Sequence, residues 1–473
     1  MGPPDRRDER TPAMAQAGLV LGTIGNTPLL ELTRLDSGCC RLFIKLENQN
    51  PTGSIKDRIG LSMIEAAERA GRLHPHAEPA GTIVEATAGN TGLGLALVAA
   101  QKGYRLLLVI PDKMAQEKIL HLRALGAQIH LTRSDVPKGH PEHYQDLAAS
   151  MAAQIPGSYF VNQFANPANP AAHEATTGPE IWAQTGQMLD AVVVGVGSGG
   201  TLTGLSRYFE RVAPHVQMVL ADPAGSVLAD IVESGSVQRP AGSWLVEGIG
   251  EDFVPPACDL SRVRRAYRIS DADSFHTARE LLAVEGILGG SSTGTLLAAA
   301  LRYCREQTSP KRVVTLAPDS GNKYLNKMFN DYWMFDQGMI ERPQRGNLLD
   351  LVVRRYQEGG AVTLSPQDSL LLAYRRMRLF DVSQIPVMQD ERVIGIVDES
   401  DLLMHVHADA ERFNDAVRTA MVARVETVAP DAPVSALLPI FRRDHVAIVA
   451  NEGRFIGLIT RVDLLNYLRK QLG

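Results

Sequence analysis

Between residues 42 and 316, short aliphatic and β-branched runs alternate with stretches whose apolar positions recur every three to four residues. The short runs predict strands at 42–46, 82–85, 105–110, 128–131, 191–196, 217–221 and 312–316. The periodic stretches predict helices at 54–70, 92–101, 116–125, 170–185, 201–212, 274–285 and 293–305. Strands separated by helices imply an α/β fold with a mostly parallel sheet covered on both faces, in which each strand-to-helix turn is a candidate ligand loop.

The pattern changes after residue 336. Asp336 to Gly346 has no period and carries Gly338, Pro343 and Gly346, so a first domain is expected over 18–337 and a linker over 338–346. Beyond it, Ile385-Pro386-Val387, Gly395 and Asp401-Leu402-Leu403 return as Ala447-Ile448-Val449, Gly457 and Asp463-Leu464-Leu465, the two glycines standing 62 residues apart. A strand, a turn, a second strand and a helix in each copy make an α+β module over 347–473, with copies at about 347–407 and 415–473 that hide their apolar faces against each other.

Composition narrows the function. With 473 residues the chain exceeds one ordinary core, and 21% charged residues with a net charge of −5 argue against nucleic acid or an anionic membrane as the main partner. No apolar run approaches the ~20 residues that span a bilayer. Residues 1–17 mix arginines and carboxylates around prolines, lack the apolar stretch of a secretory signal and are expected to be a disordered tail. Four cysteines, with Cys39 and Cys40 adjacent, form neither a disulfide framework nor a spaced zinc pattern. A cytoplasmic protein without a metal is expected.

Four turns carry candidate chemistry. In Asn50-Pro51-Thr52-Gly53-Ser54-Ile55-Lys56-Asp57-Arg58, Ser54 and Asp57 read as a capping-box variant. They place Lys56 in the first helical turn, where the helix dipole disfavours an ammonium. Lys56 is either a nucleophile with a lowered pKa or a solvated lysine. In Thr87-Ala88-Gly89-Asn90-Thr91-Gly92, the N–H groups of a helix start and two hydroxyls suit a carboxylate, and Asn90 suits a ring oxygen. A plain capped helix explains the same residues.

Gly195-Val196-Gly197-Ser198-Gly199-Gly200-Thr201 satisfies GxGxxG, with Asp222 where a dinucleotide fold keeps its ribose carboxylate. The other reading is a phosphate cup for a smaller cofactor, favoured by the Pro223-Ala224-Gly225-Ser226 turn after Asp222. Gly289-Gly290-Ser291-Ser292-Thr293-Gly294 sets Ser291 at a helix start. A hydroxyl facing a pyridine nitrogen leaves that nitrogen unprotonated, which favours elimination and replacement at Cβ over transamination; an N-cap explains the loop equally well.

In this order, NPTGSIKDR, TAGNTG, GVGSGGT and GGSSTG resemble the fold-type II (tryptophan synthase β-like) pyridoxal phosphate enzymes of the cysteine synthase and cystathionine β-synthase family. Asp222 to Ser226, Glu247 to Phe253, and Pro318-Asp319-Ser320 with Tyr324, Lys327 and Trp333 favour the cystathionine β-synthase branch. The C-terminal repeat resembles the paired CBS motifs, or Bateman module, of that branch.

The resemblance implies that Lys56 holds pyridoxal phosphate covalently and shuttles the Cα proton, and that Asn90 contacts the ring oxygen. Gly197, Ser198, Gly199, Gly200 and Thr201 bind phosphate, and Ser291 faces the pyridine nitrogen. Thr87, Ala88, Thr91, Gln163 and Gly248 belong to the amino-acid substrate site. The implied reaction joins L-serine and L-homocysteine in a homodimer or homotetramer. The alternatives are a cysteine synthase using serine or O-acetylserine with sulfide, a serine or threonine dehydratase and, most distant, an NAD-dependent oxidoreductase. Phe164 and Glu251 stand where the animal enzymes have tyrosines, which loosens the assignment of the second substrate. No haem is expected, since the first histidine is His74 and the N-terminal tail has no cysteine. Asp401, Thr460 and Asp463 match the nucleotide motif of the module. Asp398 replaces a hydroxyl residue there, and its charge disfavours polyphosphates and points to S-adenosylmethionine.

Overall fold

The computed structural model describes residues 19–77, 80–87, 89–112, 116–136, 139–341, 345–423 and 425–470. The expected tail at 1–17, Ala88 and residues 342–344 of the expected linker lie outside the described residues. The chain divides into two compact units at Met328/Phe329.

The first unit holds two sheets. One runs β1 (Leu29–Leu32), β2 (Arg41–Lys45), β10 (Arg312–Leu316), β7 (Ala191–Val194), β8 (Gln217–Pro223) and β9 (Val263–Ile269); the other runs β5 (Gln128–Thr132), β4 (Arg105–Pro111), β3 (Thr82–Ala86) and β6 (Ser158–Phe160). All pairings are parallel except β1 with β2. β3 and β7 are buried along their whole length, as strands covered by helices on both faces must be. Three strands escape the sequence pattern. β1 is a four-residue antiparallel edge, β6 has three residues, and β9 spends three of its seven positions on arginine at the far edge of the larger sheet.

The helix that carries Lys56 spans Lys56–Arg69, and the helix of the asparagine loop spans Asn90–Lys102. They cross backbone to backbone: a Cβ on Gly60 would stand 2.8 Å from Gly94 C, and one on Gly94 would stand 2.7 Å from Lys56 O. That contact brings two of the candidate turns together. The expected Ser54–Asp57 capping box is not formed. Ile55 takes the N-cap position, and the Asp57 carboxylate reaches back to Thr52, accepting its backbone N–H at 2.7 Å and its hydroxyl. The loop preceding the helix is thus closed on itself.

One residue beyond Asp57, Arg58 enters a buried ion network: its guanidinium bonds Glu47 and Glu180 at 2.7 Å, and Lys45 bonds Glu180 at 2.7 Å. Removing one partner from such a network costs ~3–5 kcal/mol, because the remaining charge stays buried.

The second unit repeats itself down to its irregularities. β11 (Gln384–Gln389) pairs antiparallel with β12 (Arg392–Asp398), and β14 (Ala447–Asn451) with β15 (Arg454–Ile459). Each hairpin slips register at the same place, Val387/Met388 and Val449/Ala450. The module has two cores, and the chain crosses between the copies expected at 347–407 and 415–473: one core, around Leu370, Ile385 and Val397, takes in Val417, and the other, around Leu437, Ala447 and Ile459, takes in Leu348, Leu351 and Val352. The short strand β13 (Thr427–Val428) lies parallel beside β14.

Candidate active site and module cleft

Backbone hydrogen bonds draw two of the four turns of the first unit together. The segment after β10 is the stitch: Ile55 N donates to Pro318 O at 2.8 Å, Ser320 N to Gly53 O at 3.0 Å and Gly290 N to Asp319 O at 2.9 Å. The lysine turn and the serine loop are therefore held on either side of residues 318–320.

Lys56 lines one pocket with Gly197, Ser198, Gly199, Gly200, Thr201 and Gly248. Burial pushes its amine below the usual lysine pKa; the Asp319 carboxylate opposes that shift and Lys323 adds to it. The glycine turn forms a cup of bare backbone. A Cβ on Gly197 would lie 2.5 Å from Gly248 O, and one on Gly200 would lie 1.8 Å from Asn169 Oδ1. Gly199 sits at φ +85, and a Cβ there would strike Cys258. Asn169 Nδ2 donates to Ser198 Oγ at 2.9 Å, which leaves the serine proton free to donate. Thr201 Oγ1 lies 3.2 Å from His173 Nε2, a buried imidazole held well below its ordinary pKa by burial and then by Arg58, hence neutral.

This donor set at a helix start fits a phosphate: backbone N–H groups, two hydroxyls, and space no side chain can occupy. Beside it stands an amine depressed by burial, suited to a covalent bond with a carbonyl carbon. The residues present therefore fit pyridoxal phosphate.

Asp222, the ribose carboxylate of the dinucleotide reading, is fully buried and accepts Ala229 N at 2.8 Å at the start of the Leu228–Ser234 helix. Burial pushes its pKa up to about 6. A carboxylate with no exposed surface, one oxygen of which holds a helix start, is not presented to a ribose.

The remaining predicted residues lie around this pocket without all facing it. Ser291 is buried at the start of the Ser291–Arg305 helix, accepts Glu247 N at 3.0 Å, and lies within hydrogen-bonding reach of the Tyr324 phenol. Thr91 donates its proton to Gln163 Oε1 at 2.6 Å, joining two of the proposed carboxylate partners, while Thr87 Oγ1 accepts Gly89 N at 3.1 Å. Asn90 is engaged at both ends of its amide. Its Nδ2 donates to Asp319 Oδ2 at 2.8 Å and its Oδ1 accepts from Lys323 Nζ at 2.6 Å.

Several residues of the site were not assigned roles by the sequence pattern. Glu85 lies at the end of β3 with 1% exposure, and its oxygens accept Ala86 N at 2.8 Å and Gln163 N at 3.1 Å. It ties the two segments expected to hold the substrate carboxylate to one side chain, and burial pushes its pKa up to about 7. Glu247, next to Gly248, pairs with Lys118 and with Lys327 at 2.7 Å; burial raises its pKa, but the two ammoniums outweigh that and hold it low. A glutamate at the end of a strand, followed by the threonine loop, was the one available signal for Glu85. Asn169, His173 and Lys323 gave none.

In the second unit, Thr460 and Asp463 line a cavity of ≈ 710 Å³ with Asp381, Gln384, Asp444 and Arg461, whereas Asp401 is not in its wall. Thr460 donates both its N–H and its hydroxyl to Asp463 Oδ2 at 2.7 Å. In the first copy, Asp398 and Asp401 cap the Glu399–Val406 helix reciprocally at 2.8 and 3.0 Å. Among the described residues, no group of three or more histidines, cysteines or carboxylates is placed to hold a metal, and no helix is long and apolar enough to cross a membrane.

Taken together, the fold, the buried lysine and the glycine cup define a fold-type II pyridoxal phosphate enzyme with a C-terminal CBS-motif pair. Residues 20–319 match the model of the pyridoxal-phosphate dependent enzymes, and residues 354–408 and 417–470 match CBS domains. The chain belongs to the cystathionine β-synthase family within those enzymes. It is 36% identical to cystathionine beta-synthase of Mus musculus over 92% of this chain and 77% of the mouse protein, and 33% identical to that of Saccharomyces cerevisiae over 95% and 97%. Cysteine synthase A of Escherichia coli is 41% identical over 64% of this chain and 92% of its own length. Among solved structures, a hydrogen sulfide-producing enzyme from Fusobacterium nucleatum aligns with a TM-score of 0.60 and 35% identity, covering 65% of this chain and all of that one.

Proposed function

We propose that this enzyme condenses L-serine with L-homocysteine to L-cystathionine and water. The observation that carries the reading is the depressed amine of Lys56 in one pocket with the Gly197–Thr201 cup, in a chain that spans nearly the whole of the yeast cystathionine beta-synthase. When bound, pyridoxal phosphate supplies the electron sink that acidifies the Cα–H bond and loosens the β-substituent. The cup N–H groups, Ser198 and Thr201 hold its phosphate, and Asn90 and Ser291 attend the ring oxygen and ring nitrogen. The Lys56 amine takes up and returns the Cα proton. Thr87, Ala88, Thr91, Gln163 and Gly248 grip the amino acid. The β-hydroxyl leaves as water and the thiolate sulfur takes its place on Cβ.

Steady-state turnover with serine plus homocysteine, set against O-acetylserine plus sulfide, tests the reading. A higher kcat/KM for the first pair is expected; a preference for the second assigns the chain to sulfide chemistry, as in its cysteine synthase relatives. Release of pyruvate without a thiol would mark a dehydratase.

Glu85→Gln tests the substrate grip. Both Glu85 oxygens accept backbone N–H groups, so a glutamine must turn its own NH2 against one of them, at ~1–3 kcal/mol for an unsatisfied buried group. KM for serine is expected to rise about 5- to 150-fold, with cofactor content unchanged. The variant also reports on pH. A carboxyl whose pKa is raised on folding contributes stability that is full below its unfolded pKa and is lost as pH rises toward about 7. Thermal melts of Glu85→Gln are expected to lack that part of the decline between pH 4.5 and 7.

For the module we propose S-adenosylmethionine in the cavity of Thr460 and Asp463. The wall supports a cationic ligand, since Asp381 and Asp463 face it, while Arg461 bonds Phe441 O at 2.7 Å and is neutralised by the Asp444 carboxylate. Titration calorimetry is expected to show binding to the wild type, loss of at least ~10-fold in affinity for Asp463→Ala, and weaker binding of ATP. A second copy of the chain is the proposed macromolecular partner, supported by Leu403, Met404, Val462 and Leu465, each more than 60% exposed on helices of the module. The cytoplasm is the proposed compartment, with four free cysteines in support.

A further inference from the structure

Lys323 spends its shortest hydrogen bond, 2.6 Å, on the neutral amide oxygen of Asn90, and a longer one, 3.4 Å, on Gly53 O. Among the described residues it makes no ion pair within 4 Å, although Asp319 and Asp57 are near enough to act on it electrostatically. A partly buried ammonium without a close carboxylate is costly, and this one is placed against a residue proposed to touch the cofactor.

We propose that Lys323 is a positioning residue that fixes the orientation of the Asn90 amide toward the cofactor ring, an inference that rests on the pyridoxal phosphate reading. A primary amide can turn over, exchanging its acceptor and donor ends with little change of shape. Here the two ends are distinguished by their neighbours. An ammonium only donates, so it selects the oxygen; the Asp319 carboxylate oxygen, which also accepts the Tyr324 hydroxyl at 2.8 Å, selects the NH2. The turned-over amide would set NH2 against ammonium and oxygen against carboxylate oxygen. With one N–H committed to Asp319, the second N–H of Asn90 stays available as a donor. Lys323, Asp319 and Tyr324 all belong to the segment that follows β10, so the amide of one loop is set by another element stitched to Gly53 and Gly290.

The test uses full-length protein loaded with pyridoxal phosphate, with cofactor content measured after alkaline release. In Lys323→Met the circular dichroism of the visible cofactor band is expected to fall by at least half, with content unchanged. Lys323→Arg, which keeps a cationic donor, is expected to restore most of it. In an Asn90→Ala background, adding Lys323→Met is expected to change the band far less than it does alone, leaving only the loss of the Lys323 charge that acts on Lys56. If the methionine variant does not fold, Lys323→Gln takes its place, since its amide is one bond too short to hold the contact. A wild-type band in Lys323→Met beside an altered one in Asn90→Ala overturns the proposal. Wild-type protein that takes up no pyridoxal phosphate overturns the cofactor reading itself, a distinct result.

Discussion

Lys56→Ala lowers turnover by at least about 10³-fold, within the range associated with removing a positioned proton-transfer group and with the covalent contribution lost as well. The effect is large because no neighbour can stand in. The other ammonium close enough to act on Lys56 is Lys323, and it is held at 2.6 Å by Asn90. The fold is expected to survive, since the first helical turn is anchored by Asp57 on Thr52 and by Arg58 on Glu47 and Glu180, none of which involves the Lys56 amine. Single-turnover assays and a thermal melt separate the two effects. Borohydride treatment of loaded wild-type protein is expected to fix cofactor mass on the peptide carrying Lys56 and on none in the variant. A variant that retains more than a tenth of wild-type turnover would remove Lys56 from the reaction.

What the sequence made legible was local. Buried parallel strands are continuous apolar runs, so β2, β3, β4, β7, β8 and β10 stand in the chain pattern within a few residues, as does β5, an edge strand with three of its five positions exposed. The four turns were visible because glycine, hydroxyl and lysine chemistry is concentrated in stretches of six to nine residues. What stayed hidden depends on distance along the chain. Nothing in Asp57 announces that it caps Thr52 rather than pairing with Ser54; the choice follows from how Gly53 and Ile55 bond to residues 318–320. Nor does a periodic pattern show that Glu85 grips Gln163, 78 residues away, or that Lys323 grips Asn90, 233 residues away. The paired motifs of the module read alike and both close reciprocally on their helix starts, yet of the assigned residues Thr460 and Asp463 line the cavity and Asp401 does not.

Gly197→Ala tests the cup at the point where the structure has least freedom to yield. The added methyl would lie 2.5 Å from Gly248 O, a backbone atom in a loop whose Gly250 N–H is bonded to Val196 O at 2.8 Å. No flexible side chain can move aside, so the Gly248 loop must shift away from the pocket it helps to line. Overpacking of this kind costs ~1–3 kcal/mol, which corresponds to cofactor affinity lowered about 5- to 150-fold. Ser198→Ala removes one hydroxyl and adds no atoms, so it is expected to cost less. Fluorescence titration of the apoprotein with pyridoxal phosphate measures both variants. The ordering decides between two origins of affinity: if shape dominates, the glycine variant is the weaker binder; if hydroxyl donors dominate, the serine variant is. Undiminished affinity in Gly197→Ala would mean that the phosphate is not seated between Gly197 and Gly248.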